Sequence, residues 1–250
     1  MKRFLKYTVI AMVALATASC EWSGSGDSRD PDNLGLTLWD IAKSDLMRVN
    51  EIFDFIAHYN HLLTIEDEQE RTNYQHTHFY NMIITVDNNV HMITQNTAYD
   101  TKYYTIIEMN ADNWRVRRSG GNSYDLIIRA EGEDRYTVEF NELYINESKG
   151  TGKLDVTLIY EDGEPNVRYS GELVMVDPEE SRAKPLTVTT RITSPIEYSS
   201  PTHFIDGVLT IEAYDALYDN TDKAKVTILN NGHSDQIIIE CLGSIIGYKF

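Results

Sequence analysis

The chain has 250 residues, with hydrophobic side chains at 42% and charged ones at 24%, and a formal net charge of −17. That is enough chain for a sizeable core, in one large β domain or two small ones. An excess of acid this large repels phosphate backbones, so no nucleic-acid partner is expected.

The first element is an apolar leader. Met1, Lys2, Arg3 and Lys6 are followed by Val9, Ile10, Ala11, Met12, Val13, Ala14, Leu15 and Ala16, the basic start and apolar middle of a secretory signal. Tyr7–Ala18 falls well short of the ~20 residues a helix needs to span a bilayer. The leader ends Leu15-Ala16-Thr17-Ala18-Ser19-Cys20. This resembles the lipobox of bacterial lipoproteins, with Thr17 where an aliphatic residue usually stands, as the looser Bacteroidetes-type lipobox tolerates. The resemblance implies that residues 1–19 are removed and that Cys20 carries lipid. It also implies an outer-membrane location in the bacterial envelope, periplasmic or surface-facing, with the membrane as a partner through that lipid. An exposed free thiol would be a liability in an oxidising compartment, which supports acylation. Losing Lys2, Arg3 and Lys6 and no acid takes the mature chain to about −20.

Residues 20–36, with Ser23-Gly24-Ser25-Gly26 and Pro31, read as a flexible tether. Residues 37–250 form the folded domain. It opens with an amphipathic helix from Leu38 to about Leu63, on Ala42, Leu46, Val49, Phe53 and Ile56, with Thr37-x-x-Asp40 as its N-terminal box. Four histidines gather at its end. His58 and His61 share a helix face, and His76 and His78 would share a strand face, so the two pairs have the spacing to chelate zinc, with Asp54 placed to orient His58. No HExxH or comparable spacing accompanies them, and solvated histidines are the simpler reading, so no metal is expected there. Glu66–Arg71 is a charged exit and Thr72–Tyr80 a polar, aromatic passage.

Beyond Tyr80 the period changes to two. Strands are expected at Met82–Val86, Val90–Gln95, Tyr103–Met109, Trp114–Arg117, Leu126–Ala130, Tyr136–Phe140, Leu154–Tyr160, Val167–Leu173, Leu186–Ile192, Ile205–Tyr214, Ala224–Leu229 and Gln236–Leu242. Short turn-rich links between them mean antiparallel hairpins. The apolar phase shifts between Phe140 and Leu143, which predicts a bulge there. Asp177–Pro185 reads as a long hairpin loop. The fold class is α+β, mainly β: one long helix packed on a large antiparallel meander sheet, as an open half-barrel or a sandwich. The half-barrel is similar, in shape alone, to the open barrel of lipoprotein carriers.

The remaining residue groups carry little chemistry. Arg115, Arg117 and Arg118 are expected to pair with neighbouring acids, and Asp215, Asp219 and Asp222 lack the rhythm of a calcium loop. Cys241, in an apolar strand, reads as a small buried hydrophobe and leaves no disulfide once Cys20 is acylated. No nucleophile elbow, phosphate loop or nucleotide-binding glycine pattern is present, so neither catalytic residues nor a cofactor are expected. The 16 tyrosines suit core packing first and glycan stacking second. The leading expectation is therefore a lipid-anchored envelope protein that binds or scaffolds, with a glycan or protein partner, in nutrient capture or a surface assembly. A glycan hydrolase and a carrier of a hydrophobic ligand in a sheet–helix cavity are the alternatives.

Overall fold

The computed structural model describes residues 30–96, 102–111, 113–120, 122–145, 148–161, 164–177, 185–230 and 235–249. The leader, Cys20 and most of the expected tether lie outside the described residues. Two helices, α1 (Pro31–Thr64) and α2 (Glu68–His78), precede thirteen strands. These are β1 (Met82–Asp87), β2 (Val90–Asn96), β3 (Lys102–Asn110), β4 (Asn113–Ser119), β5 (Tyr124–Ala130), β6 (Arg135–Ile145) and β7 (Ser148–Glu161). The series continues with β8 (Glu164–Asp177), β9 (Leu186–Ser200), β10 (His203–Asp215), β11 (Asn220–Asn230), β12 (Asp235–Cys241) and β13 (Ser244–Lys249). They form one open sheet in strict chain order, every neighbouring pair antiparallel.

The helix begins earlier than its periodicity predicts. Residues 31–36, expected as the end of the tether, are helical: Asp30 caps α1, its side chain accepting from the Asp32 amide, and Pro31 opens the first turn. The apolar stripe is interrupted there by Gly35, which has a packing reason. A Cβ on Gly35 would stand 3.0 Å from Ile239 Cγ2 and 3.1 Å from Cys241 Cβ, so the bare backbone lets α1 rest directly on β12. At ~1.5 Å per residue the 34-residue helix is about 50 Å long.

Leu38, Ala42, Leu46, Val49, Phe53, Ala57 and Tyr59 are buried against the inward residues of the strands. Trp39 packs edge-on to Phe204, and Phe53 packs on Phe140 and Tyr169. Asn50, fully buried, is satisfied on three sides. It donates to the Pro201 carbonyl, its side-chain oxygen accepts from the Tyr169 hydroxyl at 2.6 Å, and its backbone carbonyl accepts from Tyr198. A buried amide with its bonds made fixes the register of helix on sheet. Tyr59, Tyr124, Tyr169 and Tyr198 are all buried, so much of the tyrosine content is core.

The strands are interrupted along one line. β8 slips register at Gly171 (φ 131°), β10 slips around Gly207 (φ 148°), and Pro195 lies between them in β9. A Cβ at Gly171 would meet the Lys153 carbonyl at 2.3 Å, so only glycine fits where the strands close up. Bulges bend the strands that carry them. The phase change between Phe140 and Leu143 is a register shift in β6, as its alternation predicts.

Two further elements differ from the sequence reading. Residues 68–78 form a helix with no buried residue, capped by Asp67, whose side chain accepts from the Glu70 amide. The final strand β13 was not among the expected ones. No described helix is long and apolar enough to cross a membrane.

Candidate functional site

Two clefts lie on opposite faces of the C-terminal half of α1. The first is apolar, about 90 Å³. Its floor is Phe53, Ile56 and Ala57 of the helix and Ile128, Val138, Val156, Leu158 and Val167 of β5–β8, all buried. Its rim carries Ala111, Asn113 and Ala130, which are exposed, with Asn60, Trp114 and Tyr136 half-buried. Residues 53, 56, 57 and 60 reach it together because three- and four-residue steps share a helix face. On the strands, alternate residues do the same. Asn60 and Tyr160 close one side: the Asn60 amide donates to the Tyr160 hydroxyl at 3.0 Å, and that hydroxyl donates to the Ala57 carbonyl at 2.9 Å.

The second cleft is polar, about 330 Å³, with Arg48, Glu51, Asp54, His58, His78, Gln95 and Arg118 among its walls. Of the four histidines, His58 and His78 line this cleft, and His61 touches their neighbour Tyr74. His58 and His78 stack with ring centroids 4.0 Å apart, and Tyr74 packs on both His78 and His61. His58 Nδ1 and the Tyr74 hydroxyl are 2.6 Å apart. Burial, with His78 and His61 as like-charged neighbours, holds the His58 imidazole down to about 4. It is therefore neutral near pH 7. Asp54 lies one turn before it, its Oδ1 3.8 Å from His58 Nε2, and burial raises the Asp54 carboxyl, helped by Glu164 and opposed by His78.

His76 is outside this group. On a helix, positions two apart point to different sides, so His76 turns outward to Tyr80 while His78 turns inward. The strand face that His76 and His78 would share does not form, because residues 68–78 are helical. Glu164, at the start of β8, joins the cluster instead: one ligand atom each from His58, His78 and Glu164 lie within 4.8 Å of one another. Nothing in the local sequence links Glu164 to histidines a hundred residues earlier, and the register of β8 alone brings it there.

The other groups are structural. Arg115 makes a two-pronged contact with Asp125, at 2.7 and 3.1 Å, and Arg117 pairs with Glu108. Asp215 caps the turn after β10, accepting from the Leu217 and Tyr218 amides, and Asp222 accepts from Asn220. Cys241 is buried beneath Gly35. No protein-family model matches the chain, and no curated protein or solved structure matches it.

Proposed function

We propose that the protein is a lipid-anchored lipoprotein of the bacterial outer membrane that binds the aliphatic part of an amphiphile between α1 and its sheet, without catalysing a reaction on it. The observation that carries this reading is the apolar cleft, whose floor offers only carbon to an occupant and whose polar groups stand at the rim. An engineered cavity of about 150 Å³ holds benzene. The smaller volume here suits the end of an alkyl chain, each buried methylene contributing about 0.8 kcal/mol.

In the same reading the sheet curls around α1 as an open half-barrel. Arg48 donates to the Asn122 carbonyl, between β4 and β5, while Asn50, two residues on, donates to the Pro201 carbonyl, between β9 and β10. In a flat sheet five strand spacings alone would set those two turns about 24 Å apart sideways, and they would stand at opposite ends of the strands. The helix covers only about 3 Å between the same two residues. The lipobox-like ending at Cys20 supplies the anchor. The exposed Leu242 and Ile245 stand next to Ser244, which is bonded to Asp32 in the first turn of α1.

The Cys20→Ser chain is expected to bind a fluorescent fatty acid saturably and to release it to palmitate. Ala57→Leu and Val167→Phe, which fill the floor, are expected to weaken binding at least ~10-fold while keeping the far-UV spectrum. Unchanged binding in both variants would rule the cleft out as the site.

Protein docking is the second reading, favoured by the outer face of β1–β3. Register places Ile83, Thr94 and Tyr104 in one row and Thr85, Met92 and Ile106 in the next, with Ile83, Met92 and Tyr104 exposed beside the unpaired edge of β1.

A further inference from the structure

We infer that His58, His78 and Glu164 form a binding site for a divalent transition-metal ion, with Zn²⁺ the ion their donors fit best. The three residues come from three elements, α1, the last turn of α2 and the first position of β8, and their ligand atoms already lie within 4.8 Å of one another. Tetrahedral zinc, with bonds of about 2.0–2.1 Å, sets its donors about 3.3 Å apart. Closing from one distance to the other takes small side-chain rotations, and Glu164 is exposed and free of the core that would resist them.

The donor set narrows the metal. Two imidazoles and one carboxylate suit zinc, copper or nickel, whereas magnesium and calcium call for oxygen alone. Three protein ligands beside the polar cleft leave a fourth position for water or for a ligand entering through it.

The surroundings orient the ligands. With His58 Nδ1 facing the Tyr74 hydroxyl, Nε2 is the nitrogen left to take the ion; Nδ1–H then donates to the hydroxyl oxygen and fixes the ring. Asp54, 3.8 Å from Nε2, adds a second carboxylate beside Glu164. Two carboxylates beside two imidazoles gather the oxygen and nitrogen donors that a transition-metal dication takes. This inference is independent of the lipid reading, since its test involves no amphiphile.

The experiment is titration of the chelator-treated full chain with Co²⁺, followed by displacement with Zn²⁺. Stoichiometric binding is expected, with the visible bands of tetrahedral cobalt and a zinc-dependent rise in melting temperature. Glu164→Gln and His78→Asn are each expected to weaken binding at least ~10-fold. His76→Asn, on the outward side of α2, is expected to bind as the wild type does. Glu164 is exposed at a strand end, so Glu164→Gln carries the test even where His78→Asn misfolds. Absence of stoichiometric binding, or wild-type affinity in Glu164→Gln, would overturn the assignment.

Discussion

At the scale of single residues, the acid at position 45 is the least expected feature of α1. Asp45 is 7% exposed on the buried side of an amphipathic helix, and burial, with the Asp177 carboxylate nearby, pushes its pKa up to about 7. The folded state thus holds this proton more tightly than the unfolded chain, whose value is near 3.8. The favourable contribution is fully present below pH 4 and is lost as the pH rises through about 7. Asp45→Asn removes the titration. The variant is expected to gain on the wild type as the pH rises, from no difference near pH 4 to on the order of 2–4 kcal/mol above pH 7. Urea unfolding of both chains at pH 4.5, 6 and 8 reads this directly, and a gap that does not change with pH would show that Asp45 is not held protonated. The same residue explains one limit of reading the sequence. Asp45 sits among Ala42, Leu46 and Val49 in the periodic stripe, yet its sequence neighbours cannot reveal that Asp177, on β8, stands nearby. His58 is similar. Its polar-face position suggests water, whereas α2 folds back and covers it.

At the scale of elements, what was legible follows from which signals are local. The twelve expected strands all lie in the sheet, because period-two alternation and short turns are written within a few residues of each other. The bulge after Phe140 was legible for the same reason. The start of α1 was not, because Pro31 and Gly35 resemble loop residues until β12 is seen beneath them. α2 was hidden by its lack of any apolar stripe, although Asp67 and Glu70 carry the spacing of a capping box. The link from β12 to β13 is unusual. Among the described residues, four outside glycine have positive φ; Asn81, Asn88 and Asp219 are types that tolerate it, and the fourth is Leu242, at 48°. Leu242 and Gly243 together form the two left-handed positions of a tight hairpin, where Asn-Gly is favoured. A leucine there carries steric strain of about 1–2 kcal/mol. Leu242→Asn is therefore expected to raise the unfolding free energy by about 1 kcal/mol, seen as a higher urea midpoint with an unchanged slope. A lower midpoint would mean that the exposed leucine makes a stabilising contact after all.

At the scale of the whole molecule, the anchor and the body constrain each other. The chain between Cys20 and Asp30 reaches at most about 35 Å even at full extension. In the proposed reading a lipid on Cys20 would therefore hold the start of α1, and the β12–β13 hairpin bonded to it through Ser244 and Asp32, close to the bilayer. With residues 1–19 removed, as proposed, the charge of about −20 would oppose close approach to an anionic surface, so attachment would have to come from acyl chains and not from electrostatics. One chain would hold only marginally and two or more hold firmly. The full chain is accordingly expected to enter the detergent phase in a Triton X-114 partition and to incorporate radiolabelled palmitate. Cys20→Ser should remain in the aqueous phase, unlabelled and folded. Detergent partition that survives the loss of this sulfur would mean that the body, or an uncleaved leader, holds the membrane by itself, and the sheet and its helices would then have to be oriented from their own exposed apolar residues.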